Sequence, residues 1–377
     1  GWRPAAGVDG SGPLYAQMMP PVRCFAPIAP VKTFDKGNGR TAYDIGRNIA
    51  GWARVRVSGP AGARVLVEYC ELPSDPELVP DIHPSKMKFK IGDPDYASFY
   101  DKSINIRQQN GYILKGGGPE TFECRFSYKG FQYIRVTADE GVTVERVEGV
   151  PVHTDVADAG SFVCSNETVN RLQQMSRATL LNNIHSIPTD CPHREKNGWT
   201  GDASLASETG LFNFDLASSY AEWIQTIADV QRPNGQLPGI IPSGGWGFNW
   251  GSGPVWDSAF ILIPYNVYLY TGDRSIIERN YGQMRQYIRF LETLADNRII
   301  EFGLGDWCHY DHSRIVDTKV TSTAYSYCET VTVAKCAELL GRDGDAAELR
   351  ALAAEIREAF NKAFYHGGGT YAKGEPT

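Results

Sequence analysis

Along this chain the period of the apolar positions changes once. From Tyr43 to about Val152 it is two. WARVRVSG sets Val55 and Val57 on one face against Arg54 and Arg56, ARVLVEY alternates Val65, Val67 and Tyr69 with polar neighbours, and TFECRF does the same with Phe122, Cys124 and Phe126. FQYIRV and VTVERV follow, with Gly-Pro and Gly-Gly turns between the runs. Short alternating strands with this punctuation predict an antiparallel, jelly-roll-like β-sandwich over residues 31–153. The Gly116–Gly118 run lies outside any strand–loop–helix context and reads as a turn rather than a phosphate loop. Between Leu72 and Asn110 a polar insertion with five prolines is too long for a hairpin loop, which leaves a functional flap or a disordered excursion.

After Thr154 the period becomes 3.6. Helices are expected over Asn166 to about Ile184, with Val169, Leu172 and Met175 inward, and over Ser218 to Gln231, with Ala221, Ile224, Ile227 and Ala228. Ser275 to Ala295 carries Ile277, Met284, Ile288 and Leu291, Thr321 to Leu340 carries Ala324, Tyr327, Val331 and Ala334, and Asp345 to Phe364 carries Leu349, Leu352, Ile356 and Phe360. Roughly seven helices and hardly a strand signal make residues 154–377 an all-α domain. Residues 1–30 are rich in Pro, Gly and Ala with neither period, and read as a linker or the tail of a preceding domain.

Composition narrows the function classes. At 377 residues two domains are the prior, and 42% apolar with 21% charged residues is ordinary for a globular protein. The net charge of −7, with no basic run, argues against a nucleic-acid partner. No apolar stretch approaches the roughly 20 residues that span a bilayer. Eight cysteines are scattered singly without a C-x-x-C pair, and read as buried thiols rather than staples or zinc ligands, with isolated disulfides left open. The first residue is Gly1, not an initiating Met, so the chain reads as a piece of a longer polypeptide whose N-terminus gives no localisation.

The densest chemistry lies in PTDCPHREKNGWTGD, residues 188–202. It holds the carboxylates Asp190, Glu195 and Asp202, the cations His193 and Arg194, and Trp199. Pro188 and Pro192 keep the backbone extended, and the apolar run after Asp202 reads as a helix. The acids therefore sit on a stiff loop feeding a helix N-terminus, where free N–H groups favour negative charge. Two further loops, Gly235 to Trp256 and Phe302 to Tyr310, place Trp246, Phe248, Trp250, Trp256 and Trp307 among glycines. Flat aromatic faces of this kind bind the apolar faces of sugars, or else pack on the helix ends beneath.

Carboxylates beside aromatic platforms, with no cofactor motif and no metal-ligand spacing, suit glycosidic-bond cleavage, which needs one acid on the leaving oxygen and one base or nucleophile opposite. The bland alternative is a capping and salt-bridge cluster with Arg194 and Lys196. A calcium site is a third option, but carboxylates five and seven residues apart match no EF-hand spacing.

Taken in order, Tyr-Asp-Ile-Gly-Arg-Asn-Ile-Ala-Gly-Trp (43–52), Tyr-Lys-Gly-Phe-Gln-Tyr-Ile-Arg-Val (128–136), DCPHREKNGWTGDA, PVWDSA (254–259) and GDW (305–307) resemble the α-L-rhamnosidases of glycoside hydrolase family 78. The aspartate-to-GWTGDA block is the specific part of the match, and the resemblance covers almost the whole chain. It implies a β-sandwich packed on an (α/α)₆ toroid, with no cofactor, that releases terminal L-rhamnose from a glycoside or oligosaccharide with inversion. Residue by residue, Glu195 resembles the general acid, Asp190, Arg194 and Asp202 the groups that bind sugar hydroxyls, and Trp199, Trp256 and Trp307 the pocket walls.

A general acid must keep its proton near neutral pH, which burial beside other carboxylates favours and Arg194 opposes. The block is one residue shorter than the commoner Asp-Glu-Arg-Leu-Gly-Trp version. The family's general base is a glutamate on a later helix, which places it past Thr377. Six hairpins need about twelve helices and about seven are predicted, so the toroid is expected to be incomplete within this chain and the chain alone inactive. Glu208, Glu222 and Glu329 lie on the predicted helices and read as solvated or capping residues. Other readings are a sugar-binding or structural fragment, or another toroid enzyme such as a glucoamylase-like hydrolase or a polysaccharide lyase. A homodimer and a periplasmic or cytoplasmic bacterial location stay open.

Overall fold

The computed structural model describes residues 4–7, 10, 12, 14–35, 37–71, 108–307 and 315–372. The insertion expected after Leu72 therefore falls, up to residue 107, outside the described residues.

The N-terminal part is one curled antiparallel sheet of eight strands, β1 (Val22–Cys24), β2 (Lys32–Asp35), β3 (Arg40–Ser58), β4 (Arg64–Cys70), β5 (Gln109–Ile113), β6 (Glu120–Glu123), β7 (Lys129–Ala138) and β8 (Thr143–Thr154). Strand β3 explains the curl. Its 19 residues pair with β2 and β7 along the first half and with β6 and β8 along the second, and the register shifts between Asp44 and Ile49. A strand this long must bend to keep its apolar face inward, and the irregularity supplies the bend.

Val55, Val57, Val65, Val67 and Tyr69 then meet Phe131, Ile134 and Val136 in one core, while Arg54 and Arg56 face out to Glu123 and Glu145. Two details depart from the sequence pattern. Strand β6 ends at Glu123, so Phe126 lies past it with a fully exposed side chain. Within the stretch expected to be a linker, Val22–Cys24 forms β1 and pairs with β8, and Ile28 bridges to Gly149. Neither period can show in a strand of three residues.

The C-terminal part is helical: α1 (Glu167–Asn182), α2 (Thr200–Asn213), α3 (Ala217–Val230), α4 (Pro254–Asp257), α5 (Ala259–Thr271), α6 (Ser275–Leu294), α7 (Thr318–Leu339) and α8 (Asp343–Phe364). A two-stranded hairpin, β9 (Ile184–His185) and β10 (Ile187–Pro188), joins α1 to the acidic loop. The inward residues expected of α3 and α6 are all buried, as are Leu349, Leu352 and Ile356 of α8. Helix α5 (AFILIPYNVYLYT) is apolar on nearly every side because it runs through the middle of this core, touching α2, α3, α6 and α7.

The structure corrects the expected inward face of α1 and, at Ala324, that of α7, whereas Ala334 is buried as expected. Val169, Leu172 and Met175 of α1 are exposed, since no described element covers that side. Helix α7 turns Ser322, Thr323, Ser326, Glu329, Thr330 and Val333 inward and leaves Ala324 exposed. Glu329, expected on the solvated side, is fully buried. Cys24, Cys124, Cys164, Cys191, Cys328 and Cys336 form no disulfide, and Cys336 alone among the described cysteines is buried.

Candidate active site

The acidic loop is held by its own backbone before any side chain is considered. Asp190 N–H donates to the Asn197 carbonyl at 3.0 Å, and Asn197 N–H donates back to Asp190 Oδ1 at 2.9 Å. Lys196 N–H closes a tighter ring onto the Cys191 carbonyl at 3.2 Å, which puts Lys196 at φ +59°, a left-handed conformation that only surrounding structure can hold in a lysine. Past the turn, Thr200 N–H donates to the Gly239 carbonyl and Ile241 N–H to the Gly198 carbonyl. The loop is thereby stitched to the Gly-rich segment that carries the tryptophans.

The β-domain braces the other side. Gly130 of β7 lies so close to the loop that a Cβ there would sit 2.7 Å from His193 and 2.8 Å from Pro192. His193 Nδ1 meets Glu71 Oε2 at 3.2 Å, and Lys196 Nζ stands over the Tyr128 ring. Tyr128 in turn stacks face to face on His185 at 3.8 Å, whose Nε2 donates to the Val152 carbonyl at 2.7 Å.

Glu195 is half-buried, and its Oε2 accepts from Trp199 Nε1 at 2.9 Å and from Asn197 Nδ2 at 3.4 Å. Its backbone N–H points to Cys191 Sγ at 3.2 Å, and that thiol donates to Asp190 Oδ2 at 3.0 Å. Cys191 thus ties the Asp190 carboxylate to the backbone of Glu195. Burial pushes the Asp190 carboxyl up to about 6, and the Glu195 charge adds to the push. Asp202 lies in the first turn of α2, still reachable by solvent, and is raised by the protein packed around it and then by Glu195. Arg194 is exposed, and among the described residues its side chain has no ion-pair or hydrogen-bond partner.

The indoles form one assembly. Trp199 contacts Trp250 edge-on at 5.4 Å and Trp246 at 6.3 Å, Trp246 and Trp250 stack at 5.3 Å, and Trp307 meets Trp250 edge-on at 6.3 Å. Trp199, Trp246 and Trp256 are buried, whereas Trp307 is 56% exposed. The two platforms are seated on glycines. A Cβ at Gly251 would lie 2.6 Å from Trp199, and one at Gly201 would lie 2.9 Å from the Trp256 indole. Of the expected walls, Trp199 therefore touches Glu195, Trp256 rests on the start of α2, and Trp307 reaches the assembly through Trp250. Trp246 and Trp250, which composition marked only as members of an aromatic loop, join the set directly.

A cavity of about 420 Å³ opens beside this assembly, lined by Asp190 and Asp202 together with apolar residues of α1, α2 and α3 such as Leu180, Leu205 and Leu216. Glu195 and the indoles do not line it. The two flanking aspartates thus face the cavity, while Glu195 faces the tryptophans.

A curled antiparallel β-domain followed by paired helices, with carboxylates set among indoles, is the arrangement of a glycosidase. Residues 35–153 match the bacterial alpha-L-rhamnosidase concanavalin-like domain, and residues 157–377 match the bacterial alpha-L-rhamnosidase 6 hairpin glycosidase domain. The chain belongs to the bacterial α-L-rhamnosidase family. It is 30% identical to an α-L-rhamnosidase of Formosa agariphila over 93% of this chain and 37% of the relative. Among solved structures it resembles the α-L-rhamnosidase of Dictyoglumus thermophilum (33% identity, TM-score 0.81, 95% of this chain and 38% of that one). It also resembles the Streptomyces avermitilis α-L-rhamnosidase complexed with L-rhamnose (28% identity, TM-score 0.82, 95% and 33%). The chain spans 33–38% of the length of these relatives.

Proposed function

We propose that the protein releases terminal non-reducing α-L-rhamnose from rhamnosides by a single displacement that inverts the anomeric centre, with Glu195 as general acid. The observation that carries this reading is the setting of Glu195 in a chain of this family: a half-buried carboxyl fixed by an indole N–H, with Asp190 and Asp202 on either side of it in the loop. As the glycosidic bond breaks, the Glu195 proton passes to the leaving oxygen. The carboxylate left behind keeps the Trp199 Nε1–H as a preorganised donor. Asp190, Asp202 and the exposed guanidinium of Arg194 supply acceptors and donors for sugar hydroxyls, and Trp199, Trp256 and Trp307 the apolar walls.

Inversion needs a second carboxylate about 6.5–9.5 Å from the acid, on the far side of a water. We assign that base to a helix following Thr377, within an (α/α)₆ toroid of which α1–α8 form a part. The six-hairpin description matched by residues 157–377 supports this architecture.

The test is hydrolysis of an aryl α-L-rhamnoside followed by proton NMR, in which the β-anomer is expected first. First appearance of the α-anomer refutes inversion. Glu195→Gln is expected to slow turnover by about 10²–10⁴-fold while L-rhamnose still binds. Binding without turnover in the unmodified chain would make it a sugar-binding fragment whose base is supplied elsewhere.

A further inference from the structure

Behind the aromatic loop lie two acids that the chemistry above does not use. Asp257, the last residue of α4, is 1% exposed, and Glu329 of α7 is 0% exposed. Asp257 Oδ2 is well supplied: Gly253 N–H donates at 3.0 Å and the Tyr287 hydroxyl of α6 at 3.2 Å. The Ser252 hydroxyl, at 3.0 Å, shares its hydrogen with the Leu237 carbonyl. Among the described residues, Asp257 Oδ1 and both carboxyl oxygens of Glu329 have no hydrogen-bond partner, and all three are buried. No described lysine or arginine is paired with either residue.

Three buried acceptors with no donor is an unstable arrangement for two carboxylates, since each buried charge without a donor forfeits its hydration. A single proton resolves most of it. Placed on Glu329, it removes that charge and converts one orphaned acceptor into a donor, and with α4 packed directly on α7 the third orphaned acceptor, Asp257 Oδ1, lies on the neighbouring helix. The titratable groups acting on Glu329 are Asp257 of α4 and Cys328 of α7, and Tyr287 and Tyr325 in turn feel Glu329. None is a cation, and the Asp257 charge favours a protonated Glu329.

We propose that Glu329 is a neutral positioning residue whose carboxyl O–H donates to Asp257 Oδ1. Asp257 thereby stays free to grip the Ser252–Gly253 turn and hold Trp256 against Gly201. Glu329 touches no sugar in this scheme. It fixes the wall through Asp257, so this role rests on the rhamnose-pocket reading, whereas the protonation does not.

Carbon-13 labelling of glutamate carboxyls in the protein, read by NMR, tests the protonation alone. Besides Glu195, one carboxyl is expected at the protonated position, unmoved across neutral pH and lost in Glu329→Gln. If Glu329→Gln removes no protonated glutamate carboxyl at neutral pH, the proposal is overturned. The positioning role is read from L-rhamnose affinity. Glu329→Gln, neutral and still a donor, is expected within about twofold of the unmodified protein. Glu329→Met, of similar volume but without a donor, is expected to bind about tenfold more weakly with an altered Trp fluorescence. Equal affinity in the two variants overturns the role. A failure of the unmodified protein to bind L-rhamnose would instead strike the proposed substrate, and the carboxyl signal would still decide the protonation.

Discussion

The same substitution at two helical glycines should act with opposite sign. Gly201 lies in the first turn of α2 and Gly282 inside α6, neither with a positive φ. In each, alanine gains roughly 0.5–1 kcal/mol of helix stability through reduced backbone entropy. At Gly282 a Cβ meets nothing within 4 Å, so Gly282→Ala should stabilise by that full amount. At Gly201 the Cβ would lie 2.9 Å from two atoms of the Trp256 indole and 3.0 Å from a third, all short of van der Waals contact. Trp256 is 8% exposed and packs with Trp199, Ile240 and Trp246, so the ring has little room to retreat. Overpacking of this kind costs about 1–3 kcal/mol. The propensity gain offsets only part of it, leaving Gly201→Ala about 0.5–2 kcal/mol less stable. Urea titration followed by far-UV circular dichroism reads both variants, the midpoints moving apart with unchanged slope. A Gly201→Ala midpoint raised as far as that of Gly282→Ala would refute the claim that Trp256 is wedged on α2.

Three other outcomes follow from the charges around the loop. Burial lowers the His185 pKa from 6.5 to about 4, so between those values the unfolded chain takes up a proton that the folded one refuses. Stability should therefore fall as pH drops from 6.5 to about 4, by about 3 kcal/mol in all, and His185→Gln should flatten that part of a pH–stability curve. Asp190 is raised from 3.8 to about 6, the opposite case for an acid: holding it ionised above pH 6 opposes folding. Discounted for its partial exposure, Asp190→Asn should add about 1 kcal/mol at pH 7 by thermal melting while weakening L-rhamnose binding; a loss of stability would contradict the assignment. Trp199→Phe keeps a ring against Gly251 but removes the donor to Glu195 Oε2, and should lower kcat on an aryl rhamnoside about tenfold.

The chain itself determined the two-part layout. Alternation in WARVRVSG and the 3.6 period of α3 and α6 arise from local geometry, and each reports faithfully which residues share a face. The 188–202 block was also legible, because prolines, glycines and three acids in so short a stretch leave few conformations and little bland use. Periodicity says nothing, however, about which face a neighbour will cover. The stripe of Val169, Leu172 and Met175 on α1 predicts burial and is exposed, while the inward face of α7 is polar and carries Glu329. Likewise Trp246 and Trp250 became partners of Trp199 only when Gly251 let the backbone of a distant loop approach it. Which acid faces indoles, which faces the cavity and which is sealed in the core depends on contacts between segments far apart in sequence, and those exist only once the helices have packed.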